Sequence, residues 1–119
     1  MTTFCFDFGN TRKKVAVFED AKFKDAVVLP NDDPATIQQL IDQYKPQKSI
    51  LSSVIDHNPA IEELLNTTTK YHKLNHLTKV SFTTPVGKPE DIGADRLALC
   101  AGAVRYYSDS NNLIVALGT

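Results

Sequence analysis

The sequence predicts an α/β fold, a mixed five-stranded sheet that opens with a three-strand meander and carries flanking helices. Three observations point there. Residues 3–29 hold three short strand-like runs separated by turn or polar breaks. From Asn31 onward the apolar spacing becomes helical, and strand and helix signals then alternate. No internal repeat or low-complexity stretch interrupts that order.

The elements follow in sequence. Phe4, Phe6 and Phe8 alternate with Cys5 and Asp7, the period-two pattern of a strand with one apolar face. Gly9, Asn10 and Thr11 supply turn chemistry, since Gly and Asn tolerate positive φ. Lys14 to Phe18 returns as a second strand. A polar break at Glu19 to Lys22 leads to a third, Ala26 to Leu29, ended by Pro30. Asn31-Asp32-Asp33 caps a helix with Pro34 in its first turn and Ile37, Leu40, Ile41 and Tyr44 along one stripe; Pro46 stops it. Ser49 to Val54 reads as a buried strand, and Asn58-Pro59 starts a helix carrying Ile61, Leu64 and Leu65. Tyr71 to Leu74 and Val80 to Phe82 are weak edge-strand signals, followed by a loop from Pro85 to Pro89. Glu90 to Tyr107 is the longest helical stretch, with Leu97, Ala101 and Val104 on one stripe, and Leu113 to Leu117 reads as a last strand. That strand runs into a glycine turn at Gly118, so the chain is expected to be a fragment.

Composition narrows the class of function. The length of 119 residues suits one domain, and 42% hydrophobic with 23% charged residues is ordinary for a soluble globular protein. A formal net charge of -1 predicts no pull toward nucleic acid or an anionic membrane. No apolar run reaches membrane-spanning length, and Met1-Thr2-Thr3-Phe4 does not open a signal segment. Cys5 and Cys100 form no CxxC pair and are expected to be reduced core residues of a cytoplasmic protein.

Two segments carry the candidate chemistry. Asp7-Phe8-Gly9-Asn10-Thr11-Arg12-Lys13-Lys14 puts a carboxylate at a strand end, followed at once by a tight turn. Backbone N–H groups and the Thr11 hydroxyl can donate to phosphate oxygens, Lys14 can neutralise charge, and Asp7 can hold Mg²⁺. An ordinary hairpin with Asp7 capping its turn accounts for the same residues. Gly93-Ala94-Asp95-Arg96 lies at the start of the long helix, where glycine costs about 1 kcal/mol against alanine. Asp95 can accept a hydroxyl proton and Arg96 can grip a carboxylate. A helix start with dipole-favoured acids Glu90, Asp91 and Asp95 and a solvated Arg96 fits equally. His72 and His76 stand four apart, but without the Glu of HExxH or a third ligand nearby they make a poor metal pair. Walker, GxGxxG and GxSxG patterns are all missing.

Together these residues resemble the type III pantothenate kinase family. Asp7-x-Gly9-Asn10-Thr11-x-x-Lys14 is similar to its first phosphate motif, and Ser52-Ser53-Val54 to the SSV after a central strand. Pro89 to Arg96 resembles its P-x-x-[VL]-G-x-D-R signature, and Val115 to Thr119 the opening of its second phosphate motif, DxGTAxT. The resemblance implies a ribonuclease-H-like (actin-like ATPase) fold, with residues 1–112 as a first domain and 113–119 as the first strand of a second. It implies phosphorylation of pantothenate by ATP, the first step of coenzyme A synthesis, in a cytoplasmic homodimer. Asp7, Phe8, Gly9, Asn10, Thr11, Arg12, Lys13 and Lys14, with Gly118 and Thr119, are implied to hold ATP and Mg²⁺, with Asp7 the metal ligand. Asp95 is implied to be the general base, while Gly93, Ala94, Asp95, Arg96 and Val86 line the pantothenate site.

Three positions depart from the family's pattern. Ala116 stands where the second phosphate motif opens with an Asp that helps bind K⁺ or NH₄⁺. Val86 stands where an aromatic often touches pantothenate. The chain has about half the length expected of a two-domain kinase, so alone it is expected to bind ATP poorly and not to turn over. The rival expectation is a non-catalytic regulatory homologue that keeps the kinase framework.

Overall fold

The computed structural model describes residues 1–85 and 87–117. Alternation in the first run builds strand β1 (Thr2–Phe8), with Phe4, Phe6 and Phe8 all buried and Cys5 and Asp7 on the opposite face. β2 (Lys13–Glu19) lies antiparallel to it and adds Val15 and Val17 to the same core. β3 is longer than its apolar pattern predicts, Lys22–Leu29 rather than Ala26 to Leu29. Lys22, Phe23 and Asp25 are exposed yet pair with β2, with a register shift that skips Lys24, because an edge strand can leave both faces in water. Asp20 and Ala21, at φ 49° and 65°, make the two-residue turn with positive φ at both positions that matches strand twist.

Helix α1 (Pro34–Tyr44) starts where Asp33 accepts from the Ala35 amide at 2.9 Å. It ends at Lys45, held in the left-handed region at φ 50° directly before Pro46. β4 (Lys48–Ser53) then slots beside β1 in parallel. Helix α2 (Pro59–Thr68), capped by Asn58 on the Ala60 amide at 3.0 Å, returns the chain to β5 (Lys70–Lys73), parallel to β4. The sheet order is β3-β2-β1-β4-β5, a mixed five-stranded sheet with the expected opening meander. Ile37 and Ile41 of α1 and Ile61 and Leu65 of α2 close over the phenylalanine face. The rings of Phe4 and Phe6 meet edge to face at 5.8 Å, those of Phe6 and Phe8 at 6.0 Å.

The last third departs from its sequence pattern. Val80 to Phe82 is loop and bend rather than strand. Glu90 to Tyr107 divides into a 3₁₀ turn at Pro89–Asp91 and helix α3 (Ala94–Tyr106). On α3 only Leu97 of the expected stripe is buried, while Ala101 is exposed. Leu113 to Leu117 forms no strand, and Leu113 and Leu117 are 92% and 95% exposed. A strand exists only through a partner's ladder, and nothing among the described residues supplies one there. Both cysteines are free, as expected, but half-buried rather than in the core, and burial pushes the Cys5 thiol up.

Glu62 on α2 links the helix layer to β5. It accepts from Tyr71 Oη at 2.9 Å and Lys73 Nζ at 3.3 Å, and its Oε2 lies 2.9 Å from His57 Nε2. Burial pushes the Glu62 carboxyl up, but those hydrogen bonds and the Lys73 charge outweigh it and hold the carboxyl below its ordinary value. Burial and the Glu62 bond raise the Tyr71 hydroxyl strongly. Stability from a depressed carboxyl is present above the unfolded value, about 4.3, and is lost as pH falls through the folded one. Glu62→Gln is therefore expected to lower stability at neutral pH and to flatten its decline below about pH 4.5, read by urea unfolding across pH.

Candidate functional site

β1 and β4 run in parallel, so their carboxyl ends, where ligands of open α/β sheets bind, lie side by side. The Gly9-Asn10-Thr11-Arg12 loop leaves the end of β1, closed by the Gly9 amide donating to the Arg12 carbonyl at 2.9 Å. Next to it the Val54 amide donates to the Phe8 carbonyl at 3.0 Å, tying the exit of β4 to the base of the loop. Contrary to expectation, neither Gly9 nor Asn10 adopts positive φ. A Cβ at Gly9 would meet only the Arg12 carbonyl oxygen, at an ordinary 3.5 Å. Neither backbone conformation nor packing requires glycine there.

Register brings one row of polar side chains together across the sheet. Asp7 faces Lys14 on β2 and Ser52 on β4, all on the face opposite the phenylalanines. Lys14 Nζ lies 3.6 Å from Asp7 Oδ2, with both side chains half exposed. Such a pair contributes at most about 1 kcal/mol. Ser52 is different: it is buried, and its Oγ has no hydrogen-bond partner among the described residues. Lys13 alternates to the other face, while Asn10, Thr11 and Arg12 are exposed.

The second motif meets this end of the sheet. A Cβ on Gly93 would lie 3.8 Å from Val54 Cγ1, and α3 contacts the sheet through β4. Val54 follows β4 directly, in the bend after Ser53. Gly93 is the N-cap of α3 rather than part of its interior, so the helix cost expected from sequence does not arise. Its lack of a side chain matters for another reason: a Cβ there would stand 2.7 Å from Asp95 Oδ1. That oxygen accepts from the Arg96 amide at 2.9 Å, which suits an acid in the first helical turn. Ala94 and Asp95 are partly buried and Arg96 is exposed. Val86, Gly118 and Thr119 lie outside the described residues; Ala116 is exposed.

Sequence reasoning missed one cluster at the same end. Ser53 Oγ donates to the Ile55 carbonyl at 3.0 Å and lies 3.0 Å from His57 Nδ1, and the His57 ring meets Phe8 edge to face at 5.5 Å. With Glu62 behind it, this chain of contacts fastens the exit of β4 under the phosphate-type loop. Its only sequence signal is Ser, His and Glu at spacings of four and five, which no local pattern singles out. His72, by contrast, lies in β5 and pairs with Thr78 Oγ1 at 2.9 Å, so the helical spacing with His76 does not apply. No three His, Cys, Asp or Glu side chains cluster as a metal cage among the described residues. A cavity of about 800 Å³ opens at the other end of the sheet, among Asp42, Lys45, Gln47, Thr69 and Lys70. Thr69 Oγ1 there is committed to the Leu65 carbonyl, and the adjoining helix ends present carbonyls, which disfavour anions. Among the described residues no helix is long and apolar enough to cross a membrane.

Comparison with known proteins places the chain in a family. The family model of type III pantothenate kinases matches residues 3–119. The chain is 34% identical over 115 residues to a type III pantothenate kinase of Christiangramia forsetii and 30% identical over 120 residues to one of Flavobacterium johnsoniae. It is 27% identical over 114 residues to one of Bacteroides fragilis. Each alignment covers 95% of this chain and 47% of the relative, so the chain spans about half the length of the curated relatives it matches. With that match running from the first strand through the second phosphate-type segment, the chain belongs to the type III pantothenate kinase family.

Proposed function

We propose that the protein carrying this chain transfers the γ-phosphoryl group of ATP to the terminal hydroxyl of pantothenate. The observation that carries this reading is the shared location of the two motifs: the Asp7–Lys14 row and the Gly93 helix start adjoin the same end of the sheet. The loop amides that follow Gly9 donate to phosphate oxygens together with the Thr11 hydroxyl, while the Gly9 amide keeps the loop closed on the Arg12 carbonyl and Phe8 and Lys13 anchor it at its two strand ends. Lys14 adds positive charge beside them. Asp95 takes the hydroxyl proton as the oxygen attacks phosphorus and ADP leaves, while Arg96 pairs with the substrate carboxylate. Gly93 and Ala94 give the substrate close access to the helix start.

The donor set fits a hard divalent cation held mainly by phosphates and water. Asp7 offers one half-exposed carboxylate, and Mg²⁺ characteristically takes one or two carboxylates along with substrate phosphates. When bound, the ion neutralises charge on the transferring phosphoryl group. Residues 113–119 belong, in this reading, to the second domain of a cytoplasmic enzyme that pairs as a dimer. Gly118 and Thr119 then meet the nucleotide and Val86 the pantothenate. With Ala116 in place of the acid, a K⁺ or NH₄⁺ site needs ligands from elsewhere.

The test is to incubate the complete gene product with pantothenate and Mg-ATP and to look for phosphopantothenate by mass spectrometry. A folded protein that forms none removes the kinase reading and leaves the regulatory one. A narrower prediction concerns Gly9. Gly9→Ala is expected to keep or raise stability, by up to about 1 kcal/mol, because the native φ suits alanine. It is expected at the same time to weaken ATP binding, by denying phosphate close access to the loop backbone. Equal ATP affinity in the two proteins, by calorimetry, would refute the loop's assigned role.

A further inference from the structure

Ser52 is the one buried side-chain polar group without a partner among the described residues. It is only 7% exposed. Burying an unpaired hydroxyl disfavours folding, so its presence calls for a physical reason. Register supplies one. Ser52 is the Cα partner of Asp7 on the neighbouring parallel strand, and the two side chains share a face. Adjacent strands lie about 4.8 Å apart, a gap that a hydroxyl and a carboxylate bridge by rotamer choice. Among the described residues Asp7 has the loose 3.6 Å contact to Lys14 on its other side, which leaves acceptor capacity toward β4.

We propose that Ser52 Oγ donates to the Asp7 carboxylate when that carboxylate engages the cation of the metal–nucleotide complex, making Ser52 a positioning residue for the metal ligand. The inference rests on the phosphoryl-transfer reading above. Metal-ligating carboxylates are ordinarily held by a second hydrogen bond, which fixes their orientation, and Ser52 is the register partner of Asp7 on β4, as Lys14 is on β2. Lys14 neutralises Asp7 from β2, and Ser52 orients it from β4. The hydroxyl stays unpaired in the free protein and finds its partner when ligand draws the carboxylate inward.

The experiment uses the complete gene product and Mn²⁺ as the probe, with free Mn²⁺ followed by electron paramagnetic resonance in the presence of ATP. Ser52→Ala is expected to weaken Mn²⁺–ATP binding by about tenfold or more. Its thermal unfolding midpoint is expected to stay level or rise, since an unpaired buried hydroxyl has been removed. Ser52→Thr, which keeps the hydroxyl, restores most of the affinity. In steady state the apparent KM for Mg²⁺ rises in Ser52→Ala while that for pantothenate does not. Unchanged Mn²⁺–ATP affinity in Ser52→Ala, with wild type binding and turning over normally, overturns the inference alone. So does a lowered unfolding midpoint, which means the hydroxyl is already paired in the fold. A wild type that neither binds Mn²⁺–ATP nor turns over removes the phosphoryl-transfer reading and this inference with it.

Discussion

Asp95→Asn in the complete gene product is expected to lower kcat by about 10²–10⁴-fold while ATP affinity stays within about twofold. The substitution is nearly isosteric, so the side-chain oxygen can still accept from the Arg96 amide, as Asp95 Oδ1 does at 2.9 Å. The room left by Gly93, whose missing Cβ would stand 2.7 Å away, is unchanged. What disappears is the charge and with it the capacity to take a proton. The fold loses at most the small dipole term of an acid in a first helical turn, about 0.3–1 kcal/mol. A parallel loss of ATP binding would show that the carboxylate serves the nucleotide instead, and the assignment of a base would fail. Single-turnover kinetics and calorimetry on the same preparation separate the two outcomes.

Phe6→Ala is expected to lower stability by about 3–5 kcal/mol, with a urea midpoint shifted down by more than about 1 M. Phe6 sits in the central run of β1, 2% exposed, with Phe4 and Phe8 packed edge to face on either side. β1 lies between β2 and β4 in the sheet, so no neighbouring strand can move in to fill the void without breaking a ladder. Domains of this size are stable by about 5–15 kcal/mol in total, and one such cavity removes a large share. Because β1 also carries Asp7 and the loop that follows it, ligand binding is expected to fall with the folded fraction. A loss under about 1 kcal/mol would mean that the aromatic row is not the centre of the core.

The first two-thirds of the fold were legible because their signals are local. Phe4, Phe6 and Phe8 alternate, Ile37 and Ile41 recur at helical spacing, and Asp33-Pro34 and Asn58-Pro59 each cap a helix with their own side chains. Such patterns act within one or two turns of chain and need no knowledge of what packs against them. The same holds for the site's ingredients. An acid, a glycine loop and a lysine stand within eight residues, and glycine, acid and arginine open a helix.

Non-local pairing settled the rest. β3 extends over Lys22 to Asp25 because β2 offers a ladder, although those residues have no apolar pattern. Leu113 to Leu117 has the pattern but no ladder, and stays without one. Ser52 stands in the sequence only as part of a family-like Ser-Ser-Val run, and the parallel register is what sets it beside Asp7; His57 gains its place when Ser53 and Glu62 close on it from two elements. A side chain's type is written in the chain, whereas its neighbours across a sheet depend on contacts between residues tens of positions apart.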